Sequence, residues 1–164
     1  MTIFLCGFMG CGKTTIGKLA SKKLGCAFFD TDELIVGNQE MTIPKIFAEK
    51  GEPYFRKIEA ETVKSLCGRN AVVACGGGAM LNPDTARTAS ENGEIIFLDV
   101  PFEDCYERIY GDSNRPIAAS STKEELRERY NARYAVYSEH ATIRIDSSGS
   151  PMETVELILN EIRK

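Results

Sequence analysis

Gly7-Phe-Met-Gly-Cys-Gly12-Lys13-Thr14 matches the pattern G-x-x-x-x-G-K-[ST] in full. That spacing cradles phosphate. The glycines let successive backbone N–H groups point at phosphate oxygens, and a helix opening near Lys13 adds its positive N-terminal end. Lys13 can reach β- and γ-phosphates, and the Thr14 hydroxyl can ligate Mg²⁺. Gly10, Cys11, Gly12, Lys13, Thr14 and Thr15 are therefore the candidate nucleotide-binding residues. Cys11 reads either as a small filler or, at a helix N-terminus, as an oxidation-prone thiol.

A phosphate loop implies a nucleotide, not a reaction. Asp30-Thr-Asp32 supplies two carboxylates one residue apart. One could help hold Mg²⁺ through water while the other orients or deprotonates an acceptor hydroxyl. Capping of a helix N-terminus explains either aspartate equally well. Arg56 and Glu59 stand three residues apart on a helical stretch, as a surface ion pair or as an arginine fork for a carboxylate ligand. Gly76-Gly77-Gly78 is longer than a tight turn needs and suggests close approach of a ligand to backbone. Arg115-Pro116 lies in a polar loop over 111–121, where it is an exposed charge or a mobile arginine that covers phosphates. Arg133 and His140, each taken alone, read as surface groups.

These residues need elements to position them. Thr2–Cys6 reads as a short buried parallel strand, and Ala27–Phe29, Ala71–Cys75, Glu94–Leu98 and Ala141–Ile145 read as further strands. Helical periodicity fills Thr14–Leu24, a region from about Asp32, Pro53–Leu66, Phe102–Tyr110 and Thr122 to about Tyr137. Asn82-Pro83 marks a helix start, and Thr122-Lys-Glu-Glu125 and Ser150-Pro-Met-Glu153 read as capping boxes. Strand and helix alternate, which predicts an α/β domain with a parallel sheet, helices on both faces and ligands beyond the carboxyl ends of the strands.

The chain has 164 residues, so one domain over 1–164 is expected. Its net charge of −4 disfavours nucleic-acid or membrane-surface partners. No apolar run is long enough for a membrane span, and no signal peptide is evident. Six cysteines without C-x-x-C spacing read as free, buried thiols of a reducing, cytoplasmic compartment.

In order and spacing these segments resemble the shikimate kinase family, small P-loop kinases with a fold like that of nucleoside monophosphate kinases. The matching segments are the phosphate loop, Phe29-Asp-Thr-Asp32, Phe55-Arg-Lys-Ile-Glu59, Gly76–Gly78, Arg115-Pro116 and Asn131-Ala-Arg133-Tyr134. The resemblance implies a five-stranded parallel sheet of order 2-3-1-4-5 in a three-layer α/β/α fold. A substrate-binding helical region is expected at about 32–66 and a lid at about 111–121. It implies transfer of the ATP γ-phosphoryl group to the 3-hydroxyl of shikimate, with Mg²⁺, in aromatic amino-acid biosynthesis, by an enzyme expected to be monomeric.

By the same resemblance Asp32 is the base or orienter, and Asp30 with Thr14 supports the metal. Arg56 and Arg133 clamp the substrate carboxylate, Glu59 positions Arg56, and the Gly77 and Gly78 backbone binds substrate. Lys13 and Arg115 serve the transferring phosphoryl group, and Arg108 and Pro151 flank adenine. The chain departs from the family in Cys75, where Ser or Thr is usual, and in the less apolar lid sequence Arg115-Pro-Ile-Ala-Ala. The competing readings are a gluconate-type kinase, which shares the loop and an acidic acceptor site, and a silent nucleotide-binding regulator, which would be expected to lack Asp32, Lys13 or Arg115.

Overall fold

Every residue of Thr2–Cys6 is buried, as an apolar central strand requires, and this segment is β1. The computed structural model describes residues 1–110 and 121–164. After β1 come α1 (Lys13–Leu24), β2 (Ala27–Asp30), α2 (Thr31–Gln39), α3 (Ile43–Lys50), α4 (Glu52–Leu66) and β3 (Ala71–Ala74). A 3-10 turn at Ala79–Leu81 leads to α5 (Pro83–Glu91), β4 (Gly93–Asp99) and α6 (Phe102–Ile109). Then follow α7 (Lys123–His140), β5 (Ile143–Asp146) and α8 (Pro151–Ile162).

The strands form one five-stranded sheet of order β2-β3-β1-β4-β5. All pairings are parallel, with Leu5 opposite Ala74, Cys6 opposite Phe97 and Asp99 opposite Asp146. The carboxyl ends of all five strands therefore share one edge, where loops can carry ligand groups without disturbing the core. Helix α1 packs on β3 and α8, and α5 packs on β4 and α4. The main core is built on β1, β3 and β4. A separate small core of Ile35, Ile46 and Phe55 ties α2, α3 and α4 into a unit beside the sheet, over the stretch expected to bind substrate.

Several boundaries differ from the sequence reading, each for a local reason. β3 ends at Ala74, and the Cys75 amide still donates to Leu5 O at 3.0 Å before the chain turns away. Helix α7 runs on to His140, closed by the Ala141 amide on Tyr137 O. β5 begins at Ile143 and not at Ala141, because the Thr142 hydroxyl takes the Ile95 amide at 2.9 Å. At α8 Ser150 and Glu153 form the full reciprocal capping box, whereas at α7 only the Thr122 half is made, its hydroxyl accepting from the Glu125 amide at 3.1 Å. Cys26 and Cys67 are half-buried, while the other four cysteines are buried and all six are free.

Candidate active site

The phosphate loop joins β1 to α1 and rests on α6. Gly10 has φ +81°, and a methyl group there would lie 2.8 Å from the Cys105 carbonyl oxygen. Only glycine accepts both the left-handed backbone and that approach. Lys13 Nζ donates to Gly7 O at 2.7 Å and Phe8 O at 3.2 Å, so its ammonium is folded back across the loop. Cys11 is buried, which suits a filler and leaves an oxidation-prone thiol without the access it would need.

Beyond the loop opens a cleft of roughly 300 Å³. Lys13, Thr14, Asp30, Asp32, Gly76 and Gly77 are among its lining residues. A second cleft of roughly 290 Å³ adjoins it and includes Thr15, Arg108, Ser147 and Pro151. Arg108 reaches both, and its Nη1 donates to Gly10 O at 2.9 Å. One cleft lies on the acidic side of the loop and the other on its far side, at the β5–α8 connection.

Both readings of Asp30 hold at once. Its Oδ1 caps α2, accepting from the Asp32 amide at 2.9 Å and the Glu33 amide at 3.2 Å. Its Oδ2 accepts from Thr14 Oγ1 at 3.0 Å. A hydroxyl and a carboxylate side by side are hard oxygen donors of the type Mg²⁺ takes. Among the described residues no group of three or more His, Cys, Asp or Glu could hold a metal by itself. Cys75 lines the cleft, and burial pushes its thiol pKa well above the usual range.

The glycine triplet is pressed by site side chains rather than by one tight turn. A methyl group on residue 76 would stand 2.7 Å from Asp32 Oδ1 and 3.2 Å from Glu59 Oε2. On residue 77 it would stand 3.3 Å from Arg133 Nη1, and on residue 78 it would collide with the Arg56 guanidinium. Arg56 Nη1 donates to Glu59 Oε1 at 2.8 Å. Glu59 is only 3% exposed, and burial raises its carboxyl pKa despite the pull of Arg56. Arg133 is buried rather than a surface charge, and the same desolvation lowers its guanidinium pKa. Arg56 and Arg133, distant in sequence, thereby meet at Gly77–Gly78.

Two residues at this site escaped the sequence reading. Thr31 is fully buried, and its hydroxyl accepts from the Gly76 amide at 2.9 Å, fastening the β2 end to the β3 end. Tyr137 is buried and donates to Gly77 O. Their local cues are weak: a threonine framed by two aspartates, and a tyrosine one helical turn after Arg133. His140 is half-buried rather than on the surface, with Nδ1 2.7 Å from Met80 O. Arg115 and the lid lie outside the described residues.

A parallel sheet of order 2-3-1-4-5, with a phosphate loop after its central strand and an acidic, arginine-flanked wall opposite, defines a P-loop kinase acting on a small molecule. The family model described as shikimate kinase matches residues 9–163. The shikimate kinase of Persephonella marina is 42% identical over 163 residues, covering 98% of each chain. A shikimate kinase structure from Acinetobacter baumannii, in complex with shikimate, superposes with TM-score 0.93 at 34% identity, over 99% of this chain and 92% of that one. A gluconokinase from Sinorhizobium meliloti 1021, 16% identical with TM-score 0.60 over 99% of this chain and 91% of that one, shares the fold alone.

The chain belongs to the shikimate kinase family. It is an ATP-dependent phosphotransferase acting on shikimate in aromatic biosynthesis, with Mg²⁺. No helix among the described residues is long and apolar enough to cross a membrane.

Proposed function

We propose that the described side chains divide the transfer of the ATP γ-phosphoryl group to the shikimate 3-hydroxyl into three tasks. On the donor side the loop amides from Gly10 to Thr15 wrap the phosphates. Lys13 gives up its hold on the Gly7 and Phe8 carbonyls to meet β- and γ-phosphate oxygens. Arg108 and Pro151 flank the base in the second cleft. Thr14 and Asp30 would hold Mg²⁺, which when bound neutralises charge on the phosphates.

On the acceptor side Asp32 orients the attacking hydroxyl and takes its proton. Arg56, steadied by Glu59, and Arg133 grip the carboxylate, and the Gly77–Gly78 backbone meets ring hydroxyls. Arg115 joins Lys13 at the moving phosphoryl group, an assignment carried by its motif. The stretch 32–66 forms the acceptor wall and 111–121 the lid, within one domain. The enzyme is read as a cytoplasmic monomer without nucleic-acid partners, in keeping with its acidic charge and free thiols.

One observation carries this reading. Arg133 is a buried cation facing the cleft wall, and among the described residues it has no carboxylate partner within 4.0 Å, whereas Arg56 is paired with Glu59. A buried guanidinium of that kind is costly unless an anion arrives. A small carboxylate with neighbouring hydroxyls, held against glycine backbone, meets that need. ADP release measured with shikimate and with gluconate at varied Mg²⁺ tests it. Turnover on shikimate alone is expected, and turnover on gluconate alone would overturn the reading.

A further inference from the structure

The carboxylate clamp depends on how Arg133 is held, and among the described residues no carboxylate lies within 4.0 Å of it. Its support comes from one turn further along α7. Tyr137 is only 1% exposed, and its hydroxyl faces the glycine wall. The O–H donates to Gly77 O, and beside it Arg133 Nη1 and the phenol oxygen stand 3.3 and 3.8 Å from the point that a methyl group on residue 77 would occupy. The ring is fixed by its neighbours, lying 5.4 Å from the Phe97 ring centroid at 39°. A buried tyrosine whose hydroxyl is bonded to the cleft wall, with the clamp arginine beside it on that wall, has little freedom to do anything else.

We infer that Tyr137 is a positioning residue for the substrate carboxylate, fixing the Arg133 guanidinium against the Gly77 wall before substrate arrives. Gly77 O, occupied by the phenol, is turned into the helix side of the wall. A phenol beside Arg133 is a neutral neighbour and leaves its positive charge for the ligand, which a directly paired carboxylate would offset. This differs from Arg56, whose partner Glu59 is an acid. The two halves of the clamp are therefore unlike: one arginine is oriented by a buried acid, the other by a buried phenol. His140 ties the same helix to Met80 O, so α7 is fastened at two points, and Tyr137 is the one that lies one helical turn from a site cation.

The inference rests on Arg133 acting as the carboxylate clamp, so the experiment separates the two. Steady-state kinetics are measured for the wild type, Tyr137→Phe, Arg133→Ala and the double variant. Tyr137→Phe should raise KM for shikimate about tenfold, the cost of losing a hydrogen bond to a charged group, and leave KM for ATP unchanged. In the Arg133→Ala background the same change should add nothing, because a residue acting through Arg133 is non-additive with its loss.

An unchanged KM for shikimate in Tyr137→Phe, or an equal rise for ATP, overturns the inference. So does full additivity in the double variant. If Arg133→Ala itself leaves KM for shikimate unchanged, the clamp reading fails first. A readout on the unaltered enzyme guards against a variant that does not fold. With ring-labelled tyrosine the Tyr137 hydroxyl-carbon resonance, assigned among six tyrosines, should shift on adding shikimate and stay put on adding a non-hydrolysable ATP analogue. No shift with shikimate overturns the inference.

Discussion

Arg56 Nη1 sits 2.8 Å from Glu59 Oε1, and the same guanidinium fills the space that any side chain at residue 78 would claim. An acid on one helical turn and a missing side chain on another loop thus fix one arginine. The relationship links sequence to chemistry: the i, i+3 spacing makes the pair possible, burial of Glu59 makes it directional, and glycine makes room.

Replacing Glu59 separates stability from binding. Burial raises the Glu59 pKa above its unfolded value, so its contribution to stability is fully present at low pH and is lost as pH rises through the folded pKa. Glu59→Gln removes that titration while weakening the hold on Arg56. Denaturant unfolding against pH should show the variant gaining on the wild type as pH rises from acid to neutral. KM for shikimate at neutral pH should rise about tenfold. A constant stability difference across pH would contradict this account.

Arg133→Ala should raise KM for shikimate about 10- to 100-fold, the worth of one or two charge-assisted hydrogen bonds. KM for ATP should hold steady, because the phosphate loop lies across the cleft. Equal effects on both substrates would argue against a carboxylate clamp.

Asp32→Asn keeps the side-chain shape and removes the base. Turnover should fall by about 10²- to 10⁴-fold with modest change in either KM. Near-wild-type turnover at saturating substrates would refute the role assigned to Asp32.

Asp30 has two duties that two substitutions can split. Asparagine retains an oxygen for the Asp32 and Glu33 amides, so Asp30→Asn should keep the fold and raise the Mg²⁺ needed for half-maximal rate. Asp30→Ala loses the cap as well and should cost about 1 kcal/mol of stability in addition. Mg²⁺ titrations with thermal melts on both variants check this, and an unaltered Mg²⁺ requirement in Asp30→Asn would remove the metal role.

His140 touches the Met80 carbonyl and not the cleft. His140→Ala should cost about 1 kcal/mol of stability and leave kcat within about twofold. A large fall in kcat would reveal a proton path through the end of α7.

Much of this protein is legible in one dimension. The phosphate loop, the strand–helix alternation and the glycine triplet are short-range patterns, and each is dictated by backbone sterics or periodicity within a few residues. Asp30 as cap and Glu59 as partner of Arg56 also follow from local spacing, since caps and i, i+3 neighbours are set by helix geometry. Read in isolation, Arg133 and His140 look like surface groups, and Tyr137 and Thr31 carry no signal strong enough to single them out. Their roles depend on long-range placement. The parallel register brings the end of β2 beside the end of β3, where Thr31 receives the Gly76 amide. Helix α7 packs against the 3-10 turn after the glycines, which buries Arg133 and points Tyr137 at Gly77. Burial and encounter between segments 45 and 60 residues apart are properties of the packed sheet and helices. By itself the sequence determined the chemistry on offer. Which charge became buried, and which phenol is bonded to the wall beside it, was decided only by the tertiary structure, because desolvation exists only once the chain is folded.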